Sequence, residues 1–144
     1  MAESPVTRRD VVCDLGAGLG ALTRPLAATG ARVIAVELRA ARAAALREVY
    51  AGTRVAVVEL DLRDFTFPGR SYRVVANPPY SGVQALLRRL LADRHLLSAD
   101  LVLAEGAARG ALRLSRRVHL GPRLPRRAFV HPPPMPARVI RIRR

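Results

Sequence analysis

The chain has 144 residues, enough for one domain with a real core and too few for two ordinary ones. Half of the residues are hydrophobic, mostly Ala, Val and Leu, and only 4% are aromatic, which suits helices packed closely on a sheet. The formal net charge is +14 and every one of the 25 basic residues is arginine, so a polyanionic partner is implied, with nucleic acid ahead of a membrane surface.

Taken in chain order, "VVCDLG" from Val11 reads as a short buried strand and "GALTRPLAATG" as a helix closed by Gly30. "RVIAVEL" from Arg32 is a second strand, followed by the Ala-rich helix "RAARAAALREVYAG". "RVAVVELD" from Arg54 is a third strand and "YRVVAN" from Tyr72 a fourth. "GVQALLRRLLADRHLL" from Gly82 carries leucines at helical spacing, and "ADLVLAEG" from Ala99 is a fifth strand. From Gly106 the pattern gives way to an Arg-rich segment, after which two further strands flank a Pro-rich turn. Strands alternating with helices at this rhythm predict a doubly wound, mostly parallel sheet, finished by a C-terminal antiparallel hairpin. No internal repeat or long linker divides it, so a single domain is expected.

The lone Cys13 cannot form an intramolecular disulfide and lies in an apolar run, where it reads as a small buried hydrophobe. His95, His119 and His131 are scattered without metal-ligand spacing, and no metal is expected. No apolar run approaches a membrane span, and Met1 to Asp10 lack the core of a signal peptide. The expectation is a cytoplasmic monomer without a membrane partner.

The first strand runs into "DLGAGLGALT", Asp14 to Thr23. Glycines 16, 18 and 20 let the backbone turn tightly and approach a ligand, with a helix N-terminus behind them. With Ala21 in the last position the same stretch satisfies the dinucleotide fingerprint G-x-G-x-x-G/A, so the turn alone does not choose a cofactor. Glu37 ends the second strand, where a carboxylate can accept both hydroxyls of a ribose. A nucleoside-containing cofactor follows, either a nicotinamide dinucleotide or S-adenosylmethionine. Asp61 and Asp64, after the third strand, favour the second, since an acceptor there can receive an adenine amino group.

"VVANPPYSG", Val74 to Gly82, decides between them. Two consecutive prolines end the strand, because neither has an N–H to give, and make Asn77 to Tyr80 a rigid turn at a strand end. Here the sequence resembles the adenine-N6 methyltransferases, whose motif at this point is Asn or Asp, a Pro-containing pair and an aromatic. The glycine turn, Glu37, Asp61 and Asn77 follow in that class's order. The residue types suit the chemistry. The exocyclic nitrogen of adenine is a poor nucleophile because its lone pair is delocalised into the ring. The Asn77 side-chain oxygen and the Pro78 carbonyl can accept its two hydrogens and free the lone pair, and Tyr80 can stack on an everted base.

"GAGLGALTRPLA", "VIAVEL" and the terminal "LPRRAFVHPPPMPARVIRIRR" narrow the resemblance to the ribosomal RNA adenine dimethyltransferases, which include the Erm resistance enzymes and the small-subunit dimethyladenosine transferases. That resemblance implies a class I, Rossmann-like methyltransferase with S-adenosylmethionine held by Asp14, Gly16, Gly18, Gly20, Leu22, Glu37, Leu38, Asp61, Leu62 and Asn77. It implies ribosomal RNA as partner, the large subunit ahead of the small one and of DNA. Family members usually have a Gln-containing segment before the first strand and a helical domain after the last. Ten residues precede Val11 and the chain stops at Arg144, so it reads as a pared-down catalytic core, with a silent RNA-binding module as the alternative. Arg113, Arg116, Arg117, Arg123, Arg126 and Arg127 form the candidate phosphate-binding strip. Arg88 and Arg89 read as a solvated helix face at least as readily as an RNA contact.

Overall fold

The computed structural model describes residues 5–79, 81–129 and 131–144. Seven strands form one sheet in the order β3-β2-β1-β4-β5-β7-β6. The strands are β1 (Val11–Leu15), β2 (Arg32–Glu37), β3 (Val55–Glu59), β4 (Tyr72–Ala76), β5 (Leu96–Ala104), β6 (Val118–Leu124) and β7 (Ala137–Arg143). The first five pair in parallel; β7 runs antiparallel to both β5 and β6. This is the expected doubly wound sheet with its terminal antiparallel pair, with β7 inserted between β5 and β6.

Every residue of β1 is buried, as a central strand covered on both faces requires. Cys13 lies within it, and burial pushes its thiol up to about 12, so it is an inert core group. Helices α1 (Thr23–Ala28), α2 (Ala40–Val49) and α3 (Val83–Ala92) cross over between parallel strands. Pro25 is accommodated in α1 because it falls in the first turn, where no intrahelical N–H is needed. Leu86, Leu87 and Leu90 of α3 are buried in the main core with Leu15, Tyr72, Leu101 and Ile140.

Two expectations need correction. The helix beginning at Gly82 does not reach Leu97: it ends at Ala92, and the fifth strand starts at Leu96 rather than Ala99. Asp93 takes an extended conformation and its carboxylate accepts the His95 N–H at 2.8 Å, a local turn that competes with the helix. The segment after Ala104 is not irregular but a short helix, α4 (Glu105–Ala111), whose Ala108 and Ala111 are buried. Two glycines, poor helix formers, hide it in the sequence.

Candidate active site

The sheet order reverses between β1 and β4, and the turns that follow these strands lie side by side. This is the crevice in which open α/β sheets bind ligands. Gly16 has φ +81, and a Cβ on it would lie 3.2 Å from Pro79 Cδ, 3.5 Å from Pro78 Cα and 3.6 Å from the Asn77 carbonyl oxygen. Glycine is required there both for backbone conformation and for close approach. The N–H groups of Gly16 and Ala17 both donate to Val36 O at 2.9 Å, which brings the glycine turn against the residue preceding Glu37. Leu60 N–H donates to Glu37 O at 3.1 Å and brings in the end of β3.

These contacts frame a cleft of about 850 Å³, lined by Gly16, Gly18, Glu37, Leu38, Asp61, Leu62, Asn77 and Pro78 among others. Eight of the sequence-selected residues therefore meet in one place. Asp14, Gly20 and Leu22 do not line it. Asp14 lies beneath the turn, buried, with its Oδ2 accepting the Thr23 hydroxyl at 2.6 Å. Gly20 packs against α2, where a Cβ would meet Leu46 Cδ2 at 2.9 Å. Leu22 caps the start of α1. Asp64 is exposed and outside the cleft, whereas Asp61 belongs to it. Tyr80 lies outside the described residues.

The buried carboxylates are incompletely satisfied. Glu37 Oε2 and Asp14 Oδ1 are buried and accept no hydrogen bond within the described residues. A buried polar atom without a partner costs about 1–3 kcal/mol, so the open oxygen of Glu37, which lines the cleft, suits a ligand that donates to it. Burial, helped by the nearby Glu37 charge, pushes the Asp14 carboxyl up to about 6 despite the Thr23 hydrogen bond. Asp61 behaves oppositely. Arg63 donates from Nε and Nη2 to its two oxygens at 3.2 and 2.9 Å, and from its N–H at 2.9 Å, holding the carboxyl down at about 2. An adenine amino group would share or displace that guanidinium. The residues thus fit S-adenosylmethionine: Glu37 for the ribose hydroxyls, Asp61 for the adenine, and the glycine turn for the methionine end.

The cleft also holds arginines that the sequence did not assign to a site. Arg39 and Arg42 line it from the start of α2. Arg89 lines it from α3 and is not a solvated side chain: its guanidinium donates to Leu62 O at 2.8 Å and to Phe65 O, and lies 4.5 Å from the centroid of the Phe67 ring. It ties the Asp61 loop to the helix that follows the Asn-Pro-Pro turn. Only the proximity of residues far apart in sequence reveals this role.

A second cleft, of about 330 Å³, lies on the other side of the same turn. Asn77 and Pro78 line both. Its far wall is Phe129, His131 and the prolines 132–134, and its floor is Val102 to Ala104 at the end of β5. Phe129 was visible in the sequence only as part of a terminal signature and His131 as one of three scattered histidines, neither with a role in a site.

The candidate RNA strip divides. Arg113, Arg116, Arg126 and Arg127 are exposed. Arg117 instead serves the fold, donating to Arg143 O at 3.1 Å and Leu91 O at 3.0 Å from a half-buried position. Arg123 is exposed but paired with Glu105.

The family profile described as "Ribosomal RNA adenine dimethylase" matches residues 1–115. The chain belongs to that family. It is 33% identical over 145 residues to an rRNA adenine N-6-methyltransferase of Corynebacterium diphtheriae, covering 92% of this chain and 57% of that one. It is 30% identical over 168 residues to ribosomal RNA small subunit methyltransferase A of Pelotomaculum thermopropionicum, covering 95% and 57%. The chain thus spans little more than half the length of these relatives. Among solved structures it resembles the 23S rRNA methyltransferase ErmE, with a TM-score of 0.86 and 24% identity over 96% of this chain and 63% of that one. That likeness shows the class I methyltransferase fold. No helix among the described residues is long and apolar enough to cross a membrane.

Proposed function

We propose that this chain is a single catalytic domain that methylates N6 of an adenine in ribosomal RNA, using S-adenosylmethionine. The observation that carries the reading is the position of Asn77 and Pro78 as the shared wall of two clefts, one fitted to a nucleoside cofactor and the other open to a base. When bound, the cofactor supplies an electrophilic methyl group. Glu37 accepts the ribose hydroxyls and Asp61 the adenine amino group. On the other side, the Asn77 side-chain oxygen and the Pro78 carbonyl accept the two hydrogens of the target amine. Both acceptors hold that nitrogen with its lone pair directed through the wall toward the cofactor cleft. The rigid Pro78-Pro79 pair keeps them fixed. Tyr80 is assigned by resemblance to stacking on the everted base. No dedicated base is required, because the nitrogen becomes acidic as it is alkylated and releases its proton to water.

Large-subunit RNA is the preferred target, and on that target the modification would confer antibiotic resistance. The similarity to small-subunit enzymes supports a second reading, in which the small-subunit RNA is dimethylated. The test is methyl transfer from labelled cofactor to protein-free 23S and 16S RNA, followed by nucleoside analysis. Label in N6-methylated adenosine of 23S RNA is expected. Label in 16S RNA alone selects the second reading, and label on cytosine, guanine or ribose overturns both.

A further inference from the structure

At the end of β5 the chain turns from Ala104 into α4, and Glu105, the first residue of that helix, receives three guanidinium groups on one oxygen. Arg109 Nε of α4 lies 3.1 Å from Glu105 Oε1, Arg123 Nη2 of β6 at 3.4 Å and Arg138 Nη1 of β7 at 3.0 Å. The Glu105 N–H donates to Pro136 O at 2.9 Å, which fixes the anchor to the strand it serves, and its Oε2 is buried without a partner in the described residues. One carboxylate cannot neutralise three guanidinium groups. Like charges gathered at a single oxygen repel one another, and a second anion relieves that repulsion.

The three arginines are not equivalent. Arg138 is mostly enclosed and also donates to Gly121 O at 3.1 Å, so it is a strut between strands. The side chains of Arg109 and Arg123 are 57% and 67% exposed. Each guanidinium carries five N–H donors in a planar fork suited to phosphate oxygens. The backbone that carries the cluster adjoins the second cleft: Ala104 and Ala137 line it, and Glu105 and Arg138 are the next residues along the chain. A base everted into that cleft carries its flanking phosphodiesters to the rim.

Resting on the RNA substrate proposed above, we infer that Arg109 and Arg123, gathered by Glu105, seat a backbone phosphodiester next to the target nucleotide. This is distinct from a diffuse basic surface, because one linkage, not the total charge, is recognised.

The test uses the whole chain and fluorescence anisotropy with a labelled single-stranded 12-nucleotide RNA containing one adenosine. A matched set carries one neutral methylphosphonate at each linkage near that adenosine. The double variant R109Q/R123Q is expected to bind about tenfold more weakly, the scale of lost charge-assisted contacts. Its slope of log affinity against log salt should fall by about 0.7, for one neutralised phosphate of single-stranded RNA. The parent should be weakened by a neutral linkage beside the adenosine, and the double variant should be indifferent to it. R9Q/R32Q, which removes equal charge from exposed positions at the N-terminal ends of β1 and β2, opposite the strand ends that carry the clefts, should keep the parent's linkage sensitivity. Should R109Q/R123Q fail to fold by its melting curve, Arg123→Gln alone, the most exposed of the three, is expected to give about half the slope change. Unchanged affinity, equal loss in both double variants, or undiminished linkage sensitivity in R109Q/R123Q overturns the seat. Linkage-specific binding without methyl transfer by the parent would sink the catalytic reading alone. Methyl transfer with unaltered binding in the variant would sink the seat alone.

Discussion

Two regions of the sheet hold their least exposed carboxylates differently. Around β5 to β7, acids are crowded by arginine: Asp100 accepts Arg143 at 2.9 Å and lies 3.6 Å from Arg141, and Glu105 gathers three guanidinium groups. Around β1 and β2, Asp14 and Glu37 are buried and neither is paired with an arginine among the described residues; each leaves an oxygen with no donor there, as Glu105 does at Oε2. In a chain so rich in arginine, pairing those two would have been easy in chemical terms. Arginine-paired acids organise the fold and its basic face, whereas Glu37, which no arginine pairs among the described residues, lines the cleft and is left for a ligand. Asp61 stands between, held by an exposed arginine that a ligand can displace.

Breaking the site end should cost function far more than stability. Asn77→Ala is expected to lower methyl transfer by about 10²–10³-fold, the scale of removing one preorganised polar group at a reacting centre. Cofactor affinity by calorimetry should stay near that of the parent. Parallel loss of both would mean that Asn77 holds the cofactor rather than the amine.

A smaller effect sharpens the electrostatic contrast. With the Asp14 carboxyl pushed up to about 6 by burial, the folded state holds a proton that the unfolded chain releases near pH 4. Stability should therefore fall as pH rises from about 4 to 6 and then level, by on the order of 2–3 kcal/mol from this group. Asp14→Asn should remove that component, read from melting temperatures across the range. An unchanged pH profile in the variant would show that Asp14 is not the titrating group.

The smallest effect separates the two kinds of arginine. Arg117→Ala strips two carbonyls of their donor and should cost about 1–2 kcal/mol in denaturant unfolding. Arg116→Ala, at an exposed neighbour, should stay within about 0.5 kcal/mol. Equal losses would remove the distinction.

What the sequence made legible follows from where the information is stored. The glycine turn, Glu37 and the Asn-Pro-Pro turn are local signals at strand ends, and parallel topology brings strand ends together, so residues selected one motif at a time meet in one cleft. Arg89 and Arg117 were misread because their partners are carbonyls distant in sequence, and a charge run looks the same whether its members brace backbone or face solvent. The α4 helix was hidden for a related reason: Gly106 and Gly110 argue against a helix locally, and the burial of Ala108 and Ala111 against the sheet outweighs them.

The most direct test of Glu37 as the open acceptor of the cleft is calorimetric titration of S-adenosylmethionine into the parent and Glu37→Ala, with NADH as competitor. Glu37→Ala should weaken binding by about 1.5–3 kcal/mol, the value of hydrogen bonds to a charged group, and NADH should not compete. Equal affinity in the variant, or displacement of the cofactor by NADH, would contradict the assignment of Glu37 and of the cleft it lines.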